Sequence, residues 1–385
     1  MGFTSQDDLI AQLTAGKSLR REAQKSTAPV HSASGWHFLV GLNGYPNAGT
    51  FPGTDLLWAA CDENSGDGTT IIGMQHGGPP GGSATKHILN VGAQMVAAAG
   101  APWQAKLVDL MGYYRMSTTN VTGTGSRSLS GVSVQTFTAS NSGGNLLITY
   151  ANDFKTLTKV RVSTTTTLPT GLAAATDYWL VRQSSTTALV STSYANALAG
   201  TYVAYTDGGT GTHTATPRVS RTMTGCEAFF VSQTAPTGGG PTLSASSYTN
   251  SDGTAGRAFQ GTPTMNAAAD SYACRVLHSG AAANRYGAFL PKQGADKGIQ
   301  SIESFTWSAG TAYTGSGVVA LCIVRPILDL ILPATGVWSE RDLVNQLPSL
   351  PKVDDGACLA WMLFGTGATT TGSPFVSAID FGWGG

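Results

Sequence analysis

The sequence predicts a mainly β fold with two or three short helices and a small all-β module set into a larger β-rich domain. Two observations carry this. Apolar runs are short, alternate with polar residues and are separated by Gly, Pro and Asn turns. From about Met116 to Met223, Thr, Ser and Gly dominate and the runs become shorter still, the pattern of a compact all-β unit. The simplest organisation is a main domain of 1–115 and 224–385, interrupted by a module at 116–223.

The elements follow in order. Residues 4–24 read as a helix: Thr4 or Ser5 caps it, Asp7 and Asp8 suit the first turn, and Leu9, Ile10, Leu13 and Leu19 form its apolar stripe. Lys17, Arg20, Arg21 and Lys25 make its end basic, and Gly16 is a point where it breaks or bends. Trp36–Leu42 and Leu56–Ala60 are strand candidates, followed by a Gly-Pro loop at 76–82. Ser83 to about Ala99 reads as a helix with Ile88, Leu89, Val91, Met95 and Val96 inward, and Lys106–Tyr114 as a buried strand.

In the module, strands are expected at 132–137, 146–150, 158–162, 178–182 and 201–205. Beyond it they are expected at 228–232, 271–277, 301–307, 318–324, 358–364 and 375–381. A further short helix is expected at Ser339–Leu347. That segment and residues 5–13 share the pattern S-x-x-D-L-[I/V]-x-Q-L, which is either chance recurrence of a good helix start or the mark of two equivalently packed helices.

Composition narrows function. The 385 residues carry 22 basic and 22 acidic side chains, and only 11% are charged. A general nucleic-acid binder needs a positive field, so none is expected. A weakly charged Gly/Ser/Thr/Ala surface suits a protein packed into an assembly. The module alone carries seven Lys/Arg against three Asp, a difference of +4. The apolar run 318–332 is interrupted by Arg325, Pro326 and Asp329, so no membrane span is expected. The five cysteines, Cys61, Cys226, Cys274, Cys322 and Cys358, are widely spaced and read as buried free thiols.

No motif for a phosphate loop, a dinucleotide fold or a nucleophile elbow is found. Cys274 and His278 lack two further ligands at zinc spacing. Residues 62–68, DENSGDG, are the best hard-ion candidate, but their oxygens depart from the spacing of a calcium loop, and a plain polar turn is favoured. Asp109, Asp329, Asp354 and Asp355 could in principle supply a carboxylate pair. Trp36, Trp58, Trp103, Trp361 and Trp383 could build a glycan platform, although core packing is the simpler reading. No catalytic residue, cofactor or metal site is therefore assigned, and the chain is expected not to be an enzyme.

Longer phrases resemble a virion-associated family of tailed bacteriophages. They are WHFLVGLNGYPNAGTFPGTDL at 36–56, GMQHGG at 73–78, SATKHILNVG at 83–92 and KLVDLMGYY at 106–114. They continue with SYTNSDGTAGRA at 247–258, YGAFLP at 286–291 and ERDLVNQLPSLPKVDDGACL at 340–359. The module is similar to small β units of phage structural proteins through LPTGLAAATDYWLV at 168–181, YANALAGT at 194–201 and GTGTHTAT at 209–216.

The resemblance implies a structural role in the phage particle, first as a capsid decoration or minor capsid protein in the head, assembled in the host cytoplasm. Its implied partners are the major capsid protein or neighbouring copies, with homo-oligomerisation. The alternatives are a tail-fibre or baseplate protein binding host glycan, a major shell subunit, and a particle-bound depolymerase. The long charged spine helix of the common major-capsid fold is missing from the sequence. The N-terminal helix with its basic end is a candidate docking arm, the alternative being an ordinary surface helix of the main domain; as an arm, its deletion (residues 1–25) is expected to leave a folded protein that cannot join the particle.

Overall fold

A computed structural model describes residues 3–25, 35–39, 74, 76, 84–96, 102–115, 125–128, 135–151, 158–217, 224–232, 242–261, 276–277, 287–308, 319–345, 350–354, 357–366 and 374–384. Helix α1 (Gln6–Thr14) precedes strands β1 (Ser18–Lys25), β2 (Gly35–Leu39), β3 (Thr85–Met95), β4 (Trp103–Arg115) and β5 (Gly125–Ser128). Next come β6 (Gln135–Ser142), β7 (Asn145–Tyr150), β8 (Thr158–Thr164), β9 (Asp177–Ser184), β10 (Thr187–Ser191), α2 (Tyr194–Leu198) and β11 (His213–Pro217). The remainder comprises β12 (Glu227–Ser232), β13 (Thr242–Asn250), β14 (Val276–Leu277), β15 (Ile299–Ser308) and β16 (Val319–Leu332). It ends with β17 (Ser339–Asp342), β18 (Lys352–Val353), β19 (Leu359–Gly365) and β20 (Phe375–Gly384). The fold is mainly β, as the short alternating runs predict.

Three sheets and a barrel organise these strands. One sheet runs β1-β20-β3-β17, with β18 also on β3. The central sheet runs β14-β12-β16-β4-β19-β2, and a third runs β13-β15-β5. Strands β10-β7-β6-β11-β8-β9 close into a barrel around Phe137, Leu146, Ile148, Val160, Leu180 and Val190. Closure removes the unpaired edges that short Thr/Ser-rich strands would otherwise expose.

The central sheet is buried on both faces. One half of one face packs Trp103, Ala105, Leu107, Leu330 and Trp361 against Ile88, Val91, Phe375 and Ile379 of the first sheet. The other half packs Met111, Phe230, Leu321 and Ile323 against Leu243, Tyr248, Ile302 and Phe305 of the third. The opposite face buries Trp36, Phe38, Val108, Tyr113, Phe229 and Met362. Two bulges let the long strands β4 and β16 serve both halves. The register shifts at Ile323/Val324 and at Pro326/Leu328, and each extra residue resets which side chains point to which face. Pro326 sits at the second shift, where β12 no longer pairs with β16, so its missing N–H breaks no ladder on that side.

The structure corrects several expectations. The helix expected over 4–24 ends at Thr14, with Ser5 accepting from the Asp8 N–H at 3.1 Å. Gly16, at φ 75°, turns the chain, and residues 18–25 become β1, paired to β20. The charges on Arg20, Arg21 and Glu22 belong to a sheet-edge strand, where they discourage unwanted pairing. The helix is no free arm either: Leu9 is buried in the sandwich core with Phe3 and Leu13 against it.

The helix expected from Ser83 is β3. A bulge at Leu89 explains the error: Asp380 pairs with Asn90 but Phe381 pairs with Ile88. The extra residue breaks strict alternation and leaves apolar positions at helix-like spacing. The helix expected at Ser339–Leu347 begins as β17, paired to β3 from Ser339↔Ala93 to Asp342↔Asn90. The shared S-x-x-D-L pattern thus takes two conformations, because pairing with β3 outweighs a good helix start. Residues 201–205 form no strand: they make an isolated bridge through Ala204 and tie to β7 and β10 through Val203, which accepts from the Leu146 N–H and donates to Val190 O, each at 2.8 Å. Cys226 and Cys322 are buried and free, but Cys358 is disulfide-bonded, which corrects the expectation of free thiols throughout. Residues 56–60 and 62–68, with Cys61, Cys274 and His278, lie outside the described residues.

Candidate functional site

Among the described residues, the outward face of the first sheet carries an open cleft. Residues paired across it alternate between core and solvent. Ala23, Ser377 and Ala93 align and point inward, whereas Glu22, Ala378 and Gly92 align and point outward. The next outward row is Gln24, Val376 and Gln94, and the row on the other side is Arg20, Asp380 and Asn90. A cleft of about 390 Å³ lies along β20, lined by Glu22, Ala23, Gln24, Trp338, Val376, Ser377 and Ala378. Ser377 is fixed from beneath, where its Oγ accepts from Trp361 Nε1 at 3.1 Å.

Trp338 forms one wall. It enters from the turn before β17, where the Gly336 N–H donates to Met95 O at 2.7 Å. Its Nε1, Cε2 and Cζ2 atoms sit against Gly92: a Cβ built there would lie 2.3 Å from Cζ2. Only glycine leaves the indole this seat. Trp338 remains 40% exposed, beside the exposed Val337. The opposite wall is polar, formed by Glu22 and Gln24, and a charged row lies beyond it. Arg20 pairs with Glu22 at 3.1 Å and with Asp380 at 3.3 Å, and Asn90 donates to Asp380 at 3.3 Å and to Glu340.

Interior polar clusters act as struts. Asp109, fully buried, accepts from the Cys358 N–H at 2.8 Å and faces Arg325 Nη2 at 3.4 Å. Arg325 also meets Asp354 at 2.9 Å, which Lys352 approaches at 3.3 Å. This cluster lies where β4 passes from one apolar half to the other. Lys86, buried in β3, donates to His76 O at 2.6 Å and lies 6.0 and 5.8 Å from the Phe381 and Trp383 rings. His76 Nε2 lies 3.1 Å from Ala357 O.

In the third sheet, Asp296 receives Arg257 Nε and Nη2 at 2.9 and 3.0 Å, Tyr248 Oη at 2.6 Å and Asn250 Nδ2 at 2.8 Å. Those donors, Arg257 foremost, hold the Asp296 carboxyl well below its ordinary range. Burial and the bond to Asp296 push the Tyr248 hydroxyl up to about 12.

Of the carboxylates singled out from the sequence, two meet at one guanidinium and a third lies apart. Asp109 and Asp354 both face Arg325, Asp329 pairs with Lys106 at 2.5 Å, and Asp355 lies outside the described residues. Trp36, Trp103 and Trp361 are core residues, Trp383 is half-buried near Lys86, and Trp58 lies outside the described residues. The sequence reading missed Trp338. Its only local signal was a tryptophan in a Gly-containing turn, since its seat at Gly92 is distant in the chain. Among the described residues no three His, Cys, Asp or Glu side chains come together as a metal site. Among them also, no helix is long and apolar enough to cross a membrane.

No protein-family model and no curated protein matches the chain. Solved structures similar to it include infectious bursal virus-derived T=1 particles, at 11% identity over 95% of this chain and 78% of that chain, with a TM-score of 0.18. The Gx strain of infectious bursal disease virus gives 11% identity, coverage of 95% and 81%, and a TM-score of 0.16. The VP2 subviral particle of that virus gives 10% identity, the same 95% and 81%, and a TM-score of 0.17. Overlap this slight carries no argument about topology or function.

Proposed function

We propose that the chain is a structural component of a tailed-phage particle, a capsid decoration or minor capsid protein that reinforces the head. The observation that carries this reading is the division of labour in the chain. Strands from both ends of the sequence build one sandwich, with β1 on β20 and β2 on β19, while the middle of the chain closes on itself as a barrel. Such a chain offers one body to pack against a shell and a second to project from it.

The low charge of the sequence and its phage-like phrases at 36–56, 83–92 and 340–359 support the same reading. Function is then burial of interface area, about 1,600 Å² for a specific contact, repeated over symmetry-related copies so that weak contacts add.

The test is mass spectrometry and cryo-electron microscopy of purified particles, with heads and tails separated. The expected result is the chain on heads, at a copy number set by the shell symmetry. Its absence from particles, or its presence on tails alone, would overturn the proposal.

A further inference from the structure

We propose that the cleft beside Trp338 binds a neutral saccharide. The inference stands on the outer face of the first sheet and does not rest on the virion role.

The cleft volume, about 390 Å³, lies within the ~300–1,000 Å³ typical of small-molecule sites. Its floor, Val376 and Ala378, and its indole wall are apolar, whereas its other wall is Glu22 and Gln24. A sugar ring has the matching division, with C–H groups on its faces and hydroxyls around its rim. Aromatic side chains with a polar handle suit such amphipathic ligands. Polar capacity is also unspent. Among the described residues, the Gln24 and Gln94 side chains and the Trp338 indole N–H make no hydrogen bond within the chain; Gln24 and Trp338 line the cleft and Gln94 stands just beyond it, so each can serve a hydroxyl. The three stand on one face, because Gln24 and Gln94 flank Val376 in the same row and Trp338 covers the next row at Gly92.

Charge decides which saccharide. Among the described residues, the outward positions carry Glu22, Asp380, Glu340 and Asp342 against Arg20 and, in the row of His87 and Gly382, Lys352, which is itself paired with Asp354, four acids to two bases. Arg20 is already shared between Glu22 and Asp380. This field favours hydroxyl donors and repels carboxylated, sulfated or phosphorylated sugars. The glycine under Trp338 fits the same function: a side chain at position 92 would tip the indole out of the wall while adding nothing to the sheet interior.

Titration calorimetry of the full chain tests this, with trisaccharides of glucose, galactose and N-acetylglucosamine, sialyllactose as the anionic control and a Lys/Arg-rich peptide as the competing ligand class. At least one neutral trisaccharide should bind, and sialyllactose more weakly. Trp338→Ala should weaken binding about tenfold or more, the scale of one lost aromatic contact. Gly92→Ala should do the same by displacing the ring, although it removes no polar group. Both variants should keep the wild-type melting profile, because the ring is surface-mounted; if one misfolds, Gln24→Ala, which lies outside the core, replaces it with an expected loss of several-fold. No neutral-sugar binding, equal binding by folded variants, preference for sialyllactose, or binding of the peptide alone would each overturn the proposal.

Discussion

Replacing Asp109 with alanine probes how the two apolar halves of the central sheet are joined. The carboxylate is fully buried in β4, satisfies the Cys358 N–H at 2.8 Å and faces Arg325 at 3.4 Å. Alanine leaves that N–H without this acceptor and leaves Arg325 with Asp354 as its remaining anion. Removing one member of a buried pair costs about 3–5 kcal/mol. Unfolding entropy is about 2.1 cal/mol/K per residue, so 385 residues unfolding together give about 0.8 kcal/mol/K. The melting temperature should therefore fall by roughly 4–6 °C.

Differential scanning calorimetry reads this directly. Asp109→Asn should fall between the two, because its amide oxygen can still accept from Cys358 while the charge opposite Arg325 is gone. The same substitution on an Arg325→Met background should cost less, since no guanidinium is then left with Asp354 as its one anion. A melting point for Asp109→Ala within about 1 °C of wild type, or an equal cost in both backgrounds, would refute the reasoning.

Three further outcomes are expected. Asp296 has a depressed folded-state pKa, so its contribution is complete above the unfolded value near ~4 and is lost as pH falls below it towards the folded value; urea melts from pH 6 to 2 should show an acid limb that flattens in Asp296→Asn. Deleting residues 1–25 should yield insoluble or molten protein, not a folded chain lacking an arm, because it strips Leu9, Ala23 and the whole of β1 from the sandwich; solubility and near-UV circular dichroism report it. Burial pushes the Cys322 thiol well above its ordinary value, so mass-mapped alkylation should label it only after denaturant is added.

Fold class and the position of most strands are legible in the amino-acid order, because alternation between core and solvent is written locally. β4, β7, β8, β9, β12, β15, β19 and β20 fall on or near the runs that predict them. The first helix start is legible too, where Ser5, Asp7 and Asp8 act within a single turn. The remaining elements depend on contacts between distant segments. β3 reads as a helix because one bulged residue, Leu89, disturbs its alternation, and that bulge exists only against β20. Residues 339–342 carry a helix start yet form a strand because β3 offers an edge there.

The same logic hid the candidate site. Trp338 matters through Gly92, and Glu22 and Gln24 reach the cleft only because β1 lies beside β20. Local patterning fixes which residues alternate. Which distant residues share a face depends on register and bulges, and these are set by the packing of the whole sandwich.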